Sequence, residues 1–169
     1  LALQDAAIGD SIAVSGVCLT LVSKHADSCA FDVSQETLAC TTGLDKVGAA
    51  VNLEKALRLA DPIGGHLVTG HIDGVGAVTA LQREGGHVRM RIRAPAELSR
   101  LIARKGSIAV NGVSLTVNDV ADAEFGVNLI PHTLAVTNLQ HFPAGVGVNL
   151  EVDMIARYVE RLLSQSRTA

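Results

Sequence analysis

Along most of this chain apolar and polar positions alternate with a period of two, in runs short enough to be single strands. Residues 11–14 and 17–22 are two such runs, and they flank Ser15-Gly16. Residues 108–110 and 113–118 are another two, and they flank Asn111-Gly112. Asn-Gly between alternating apolar runs is a strong hairpin signal, because both turn positions need positive φ; Ser-Gly is a weaker form of it. The pattern predicts further strands over 31–34, 50–54, 76–81, 87–92, 125–129 and 146–152. Helical spacing interrupts it three times. A short helix is expected over 54–60. A second, over 95–105, has Pro95 in its first turn and stops at Gly106, and a third spans 153–165. The last has a stripe of Met154, Ile155, Tyr158, Val159, Leu162 and Leu163 on one face.

The same order of elements occurs twice. Ser11-Ile-Ala-Val-Ser-Gly-Val-Cys-Leu-Thr20 returns as Ser107-Ile-Ala-Val-Asn-Gly-Val-Ser-Leu-Thr116, identical at eight of ten positions with an offset of 96. Phe31-Asp-Val-Ser answers to Phe125-Gly-Val-Asn, Thr37-Leu38 to Thr133-Leu134, and Val51-Asn-Leu-Glu54 to Val148-Asn-Leu-Glu151. A period of this length suits a whole small domain and is too long for a solenoid repeat. The chain therefore reads as a tandem duplication, mainly β, of two six-stranded Greek-key-like barrels over 1–66 and 67–153, followed by a C-terminal helix over 154–169. The copies are unequal. Gly70 lies 37 residues before Ser107, but only ten residues precede Ser11. Roughly 27 to 30 residues, two strands' worth, are expected to be absent from the first barrel.

Composition narrows the class without naming a chemistry. Apolar residues are 48% of the chain and rich in Val and Ile, which favour strands. The net charge of −3 gives no electrostatic reason to expect nucleic acid. No apolar run reaches the ~18–20 residues of a membrane span, and the first ten residues lack a signal-peptide pattern. Cys18, Cys29 and Cys40 are odd in number and lack CxxC spacing, which argues against a disulfide framework or structural zinc and for a reducing cytosol.

The segment Gly64-Gly-His-Leu-Val-Thr-Gly-His-Ile-Asp-Gly74 joins the copies. Together with the duplicated Gly-Val-Cys/Ser-Leu-Thr, with Ser34-Gln-Glu-Thr-Leu38 and with Asn128-Leu-Ile-Pro-His-Thr-Leu134, it resembles riboflavin synthase. The likeness keeps every block in order. It implies a homotrimer with active sites between the first barrel of one subunit and the second of a neighbour, each barrel holding one 6,7-dimethyl-8-ribityllumazine. One molecule passes a four-carbon unit to the other, giving riboflavin and 5-amino-6-ribitylaminouracil, with no metal or cofactor. Two like substrates call for two like sockets.

By the same resemblance the first socket is formed by Cys18, Leu19, Thr20 and the run Asp32, Val33, Ser34, Gln35, Glu36, Thr37. The second is formed by Ser114, Leu115, Thr116 and the run Asn128, Leu129, Ile130, Pro131, His132, Thr133. Gly70, His71 and Ile72 match a segment at the entry of the second barrel, and Lys105 a substrate-reaching lysine. The reaction needs a proton taken from the C7 methyl of the donor and a nucleophile added at C7 of the acceptor. His71, whose imidazole titrates near neutrality, is the candidate for the first. Cys18, or its counterpart Ser114, is the candidate for the second, and the Cys/Ser difference would make the sockets unequal. Each also has a plain reading: a solvated histidine, a small strand cysteine, threonines chosen for β propensity. His66 reads as structural, and no ligand set accompanies it and His71 for a metal. The last helix would either pack on its own barrel or join neighbours at a trimer axis, the reading favoured here.

Two other functions compete. A non-catalytic lumazine- or flavin-binding antenna protein needs one working socket, whereas both copies keep their Leu-Thr strands. A flavin-barrel oxidoreductase domain would be expected to accompany a nucleotide-binding α/β domain, and this sequence shows no phosphate-binding glycine loop.

Overall fold

The computed structural model describes residues 5–165. Its most regular part is the second copy. Strands β5 (Gly74–Glu84), β6 (His87–Arg93), β7 (Ser107–Val110), β8 (Val113–Ala121), β9 (Glu124–Leu129) and β10 (Gly147–Val152) close into a barrel in the order β10-β5-β6-β9-β8-β7. Alternation points Met90, Ile92, Ile108, Leu115, Val117, Phe125, Val127, Leu129 and Leu150 into its core, all at most 8% exposed. Full burial of side chains this size stabilises by about 1.5–3 kcal/mol each, so this barrel carries most of the fold's hydrophobic free energy. Its outer wall is charged: Arg89 and Arg91 of β6 both hold Asp119, and Arg93 holds Glu124. The Arg89 hydrogen bond, and then the second guanidinium, keep the Asp119 carboxyl below the usual range.

The first copy repeats four of these six strands. Strands β1 (Ser11–Val14), β2 (Val17–Lys24), β3 (Cys29–Phe31) and β4 (Leu53–Lys55) form an open sheet in the order β3-β2-β1-β4. The equivalents β9, β8, β7 and β10 have the same order in the barrel, where the β5-β6 hairpin closes the gap between β9 and β10. The first barrel, expected to lack two strands' worth of sequence, is among the described residues a four-stranded sheet, whose β3 and β4 edges no strand pairs. The copies agree down to their irregularities. A register shift falls between Leu21 and Ser23 and, 96 residues on, between Val117 and Asp119. Both hairpin tips have positive φ at two successive residues, Ser15-Gly16 and Asn111-Gly112, the geometry of a type I′ turn.

The expected helices need correction. Residues 54–60 do not form one, because Leu53–Lys55 pairs with β1 and the chain then turns. The expected helix over 95–105 is only α2 (Ala96–Ser99). Two unexpected helices appear instead, α1 (Gln35–Cys40) and α3 (Pro131–Val136), at equivalent places in the two copies. Ser34 caps α1 by accepting the Thr37 N–H at 3.0 Å, and Pro131 opens α3, where its missing N–H costs nothing. The final helix, α4 (Met154–Gln165), is held by its polar residues: Arg157 to Asp73 at 2.8 Å and Glu160 to Arg100 at 2.9 Å. Ile155, Tyr158, Leu162 and Leu163 are 62–72% exposed, so the apolar stripe faces away from its own barrel.

Candidate functional site

The two copies meet tip to tip. A methyl group on Gly16 would lie 2.6 Å from the Gly112 amide nitrogen, and one on Gly112 would lie 2.9 Å from that of Gly16. Only glycine permits this approach. Beside the contact lies a cleft of about 760 Å³, bordered by Cys18 and Ser114, by β4 and its flanks, and by the linker from Pro62 to Gly70.

The linker touches each copy, with Gly70 at Cys18 and with Gly65 and His66 at Ser114. The Gly70 carbonyl accepts the Cys18 N–H at 2.8 Å, and a methyl on Gly70 would lie 2.7 Å from Cys18 Cβ. Gly65 packs on Ser114, where a methyl would overlap the hydroxyl. His66 Nδ1 is 2.8 Å from Ser114 Oγ. Burial pushes the His66 imidazole below its ordinary pKa, against the pull of Asp153 and Glu151, so the ring is neutral at neutral pH. A neutral ring whose Nδ1 is the acceptor polarises the Ser114 hydroxyl; in the other tautomer it fixes the hydroxyl's orientation.

Glu151 of β10, 3% exposed, fixes the linker's second half. Its carboxylate accepts the Thr69 N–H at 2.7 Å, the Thr69 hydroxyl at 2.6 Å and the Gly70 N–H at 2.9 Å. Three donors satisfy a charge that would otherwise be costly to bury. Its counterpart Glu54 borders the cleft, and desolvation pushes its carboxyl up from the ordinary range.

Of the residues expected at the sockets, the cleft gathers Cys18, Gly70 and Ser114. Thr20 and Thr116 share the outward faces of β2 and β8 with them and are exposed. Leu19 and Leu115 are buried, so only their backbone can face a ligand. Asp32, Ser34, Gln35 and Glu36 are exposed around the start of α1, with Val33 and Thr37 half-buried. At the equivalent place around α3, Asn128, Ile130, Pro131 and His132 are exposed, Thr133 is half-buried and Leu129 is in the core. Ile72 packs into the first copy's core, against Val14, Val17 and Leu19. His71 is exposed and away from the cleft lining, its carbonyl 3.4 Å from an Arg157 nitrogen. Lys105 is exposed at a positive φ of 68°. Residues given no role by sequence reasoning do much of the organising: His66, Glu151 and the asparagines Asn52 and Asn149. The repeated Val-Asn-Leu-Glu was the signal for Glu151 and the two asparagines.

The model of the lumazine binding domain family matches residues 1–56 and 69–153, one segment per copy. Riboflavin synthase of Photobacterium phosphoreum is 47% identical over 164 residues, 96% of this chain and 75% of that protein. The chain belongs to the riboflavin synthase family of lumazine-binding proteins. Riboflavin synthase of Brucella abortus is also 47% identical, over 92% of this chain and 80% of its own length. Among solved structures, LumP complexed with 6,7-dimethyl-8-(1'-D-ribityl) lumazine superposes with a TM-score of 0.79 at 30% identity. It covers 89% of this chain and 81% of that one. LumP complexed with riboflavin gives a TM-score of 0.80 at 31% identity, over 89% of this chain and 82% of that one. The two LumP complexes hold flat-ring ligands, a lumazine in one and riboflavin in the other.

Proposed function

We infer that this chain is a riboflavin synthase, a transferase that converts two molecules of 6,7-dimethyl-8-ribityllumazine into riboflavin and 5-amino-6-ribitylaminouracil. The observation that carries this reading is the doubled strand, Cys18 with Thr20 on β2 and Ser114 with Thr116 on β8, in a chain whose enzyme relatives match over nearly its whole length. Each outward strand face, with the α1 or α3 segment beside it, is a socket for one ring and its ribityl tail. Holding two identical substrates in fixed relation converts a bimolecular encounter into an intramolecular one, which is a large part of the rate such a site can supply. Cys18 and Ser114 are the nucleophile candidates, and His71 the proton carrier.

The assembly proposed is a homotrimer of two-barrel subunits, each site formed by the first copy of one subunit and the second copy of its neighbour. The outward apolar stripe of α4 supports it: a helix that turns Ile155, Tyr158, Leu162 and Leu163 to water is built to meet another copy. The topology supports a first barrel completed by a hairpin between β3 and β4, as β5-β6 completes the second. The place of work proposed is the cytoplasm; among the described residues no helix is long and apolar enough to cross a membrane.

The likeness to LumP favours a second reading, a binding protein without turnover. Purified protein incubated with 6,7-dimethyl-8-ribityllumazine and a chelator separates the two. The synthase reading expects riboflavin at one molecule per two substrates consumed. Tight binding with no riboflavin formed would leave the binding-protein reading standing.

A further inference from the structure

We propose that Asn52 and Asn149 are crossed positioning residues: each holds the substrate socket of the other copy. The proposal rests on the two-socket reading above for its meaning in catalysis, but the crossing is a matter of geometry.

Asn149 lies on β10 of the second copy and is fully buried. Its side-chain oxygen accepts the Thr42 N–H at 2.8 Å, and its amide nitrogen donates to the carbonyls of Ser15 at 3.0 Å and Thr42 at 3.1 Å. All three bonds go to the first copy. Asn52, immediately before β4, does the same in reverse. Its oxygen accepts the Asn138 N–H at 2.8 Å and its nitrogen donates to the Asn111 carbonyl at 3.0 Å. Thr42 and Asn138 occupy the same place, two residues past the ends of α1 and α3. Ser15 and Asn111 occupy the same place at the two hairpin tips. The pattern is therefore a pseudo-twofold exchange, with each asparagine bonded to the other copy's helix exit and hairpin tip.

Those two points bracket a socket. The tip leads within three residues to Cys18, or to Ser114, on the socket strand. The helix exit fixes the segment that carries Gln35 and Thr37, or His132 and Thr133. Neither α1 nor α3 has a fully buried residue, and six residues are too few for a helix to hold itself in place. Backbone anchors must position them, and the asparagine supplies the one at the exit. The anchors also form a ring: Ser15 N–H donates to the Asn52 carbonyl at 2.7 Å, and Asn111 N–H to the Asn149 carbonyl at 2.9 Å. Each socket is thus referred to the opposite copy's strand, and the relative placement of two bound rings is set where the copies touch.

Amide hydrogen exchange of Asn149→Ala and Asn52→Ala tests the crossing directly. Asn149→Ala should speed exchange over 36–42 by at least ~10-fold and leave 132–138 close to wild type, because a local anchor is lost while the barrel persists. Asn52→Ala should do the reverse. Melting temperature is not the readout, since loss of any buried asparagine lowers it. With 6,7-dimethyl-8-ribityllumazine as substrate, both variants should raise KM at least ~5-fold with a smaller change in kcat, the sign of misplaced binding segments. Faster exchange in the mutated copy itself, or equally in both, would overturn the crossing. Crossed exchange with unchanged KM in an active protein would overturn the role at the sockets. If the wild-type protein makes no riboflavin, the synthase reading fails, and the exchange pattern still decides whether the clamp is crossed. Should Asn149→Ala not fold, Asn52→Ala carries the same test from its half-buried position.

Discussion

Ser114 and Cys18 occupy equivalent places, yet the linker treats them differently. Cys18 is met by a backbone carbonyl, and Ser114 by the side chain of His66. His66 reads as structural from sequence, and the geometry sets it against Ser114 at the cleft, while His71 is exposed with its carbonyl near Arg157. Nothing in one sequence distinguishes them, since both follow a glycine and both stand among apolar residues. What separates them is which strand the linker crosses at each point. The neutral state of buried His66 has a consequence for stability. Its folded pKa lies below the unfolded value of about 6.5, so as pH falls through 6.5 the unfolded chain takes up a proton that the folded one refuses. Stability due to this residue is present above that pH and declines below it. Urea unfolding at pH 7.5 and 5.5 should therefore show a larger loss on acidification for the wild type than for His66→Gln. Equal losses would mean that the imidazole is as easily protonated in the fold as out of it.

Elements were legible in proportion to how local their causes are. Both hairpins were readable because Ser15-Gly16 and Asn111-Gly112 need only their own backbone dihedrals. The helices α1 and α3 were not, because six residues with no buried position leave no 3.6-residue period to find. The expected helix over 54–60 failed for the opposite reason: its apolar spacing was real, but pairing of Leu53–Lys55 with β1 took the segment first. The last helix was readable as amphipathic, and its orientation was not, because Arg157 and Glu160 reach partners distant in sequence, Asp73 and Arg100. That orientation makes a prediction at this scale. Leu162→Glu with Leu163→Glu should leave the secondary structure unchanged by circular dichroism, since both side chains are mostly exposed. It should convert the proposed trimer into monomer by light scattering, because charges would then meet at its proposed axis. A doubly substituted protein that stays trimeric would remove α4 from the assembly contact.

At the scale of the whole molecule the duplication was plain in the sequence, but its purpose lay in contacts no local pattern records. Ser15 and Asn149, 134 residues apart, share a hydrogen bond, and Gly16 and Gly112 touch through their backbones. Such an arrangement fixes the two sockets of one chain relative to each other, and the proposed trimer then pairs each socket with one from a neighbour. In a cyclic trimer the interface is head-to-tail, so the first copy of each subunit meets the second copy of the next. Complementation tests this without a crystal. Thr20→Arg should block the first socket and Thr116→Arg the second. Both threonines are exposed, so each variant should fold and each should be inactive alone. Unfolding and refolding an equal mixture would scatter the two kinds of subunit at random. A site is whole only when its first copy comes from the Thr116→Arg chain and its second from the Thr20→Arg chain, which makes about a quarter of sites competent. Riboflavin formation should accordingly recover to about a quarter of the wild-type rate. If each site were instead built within one chain, every site would contain a blocked socket, and the mixture would stay as inactive as its components.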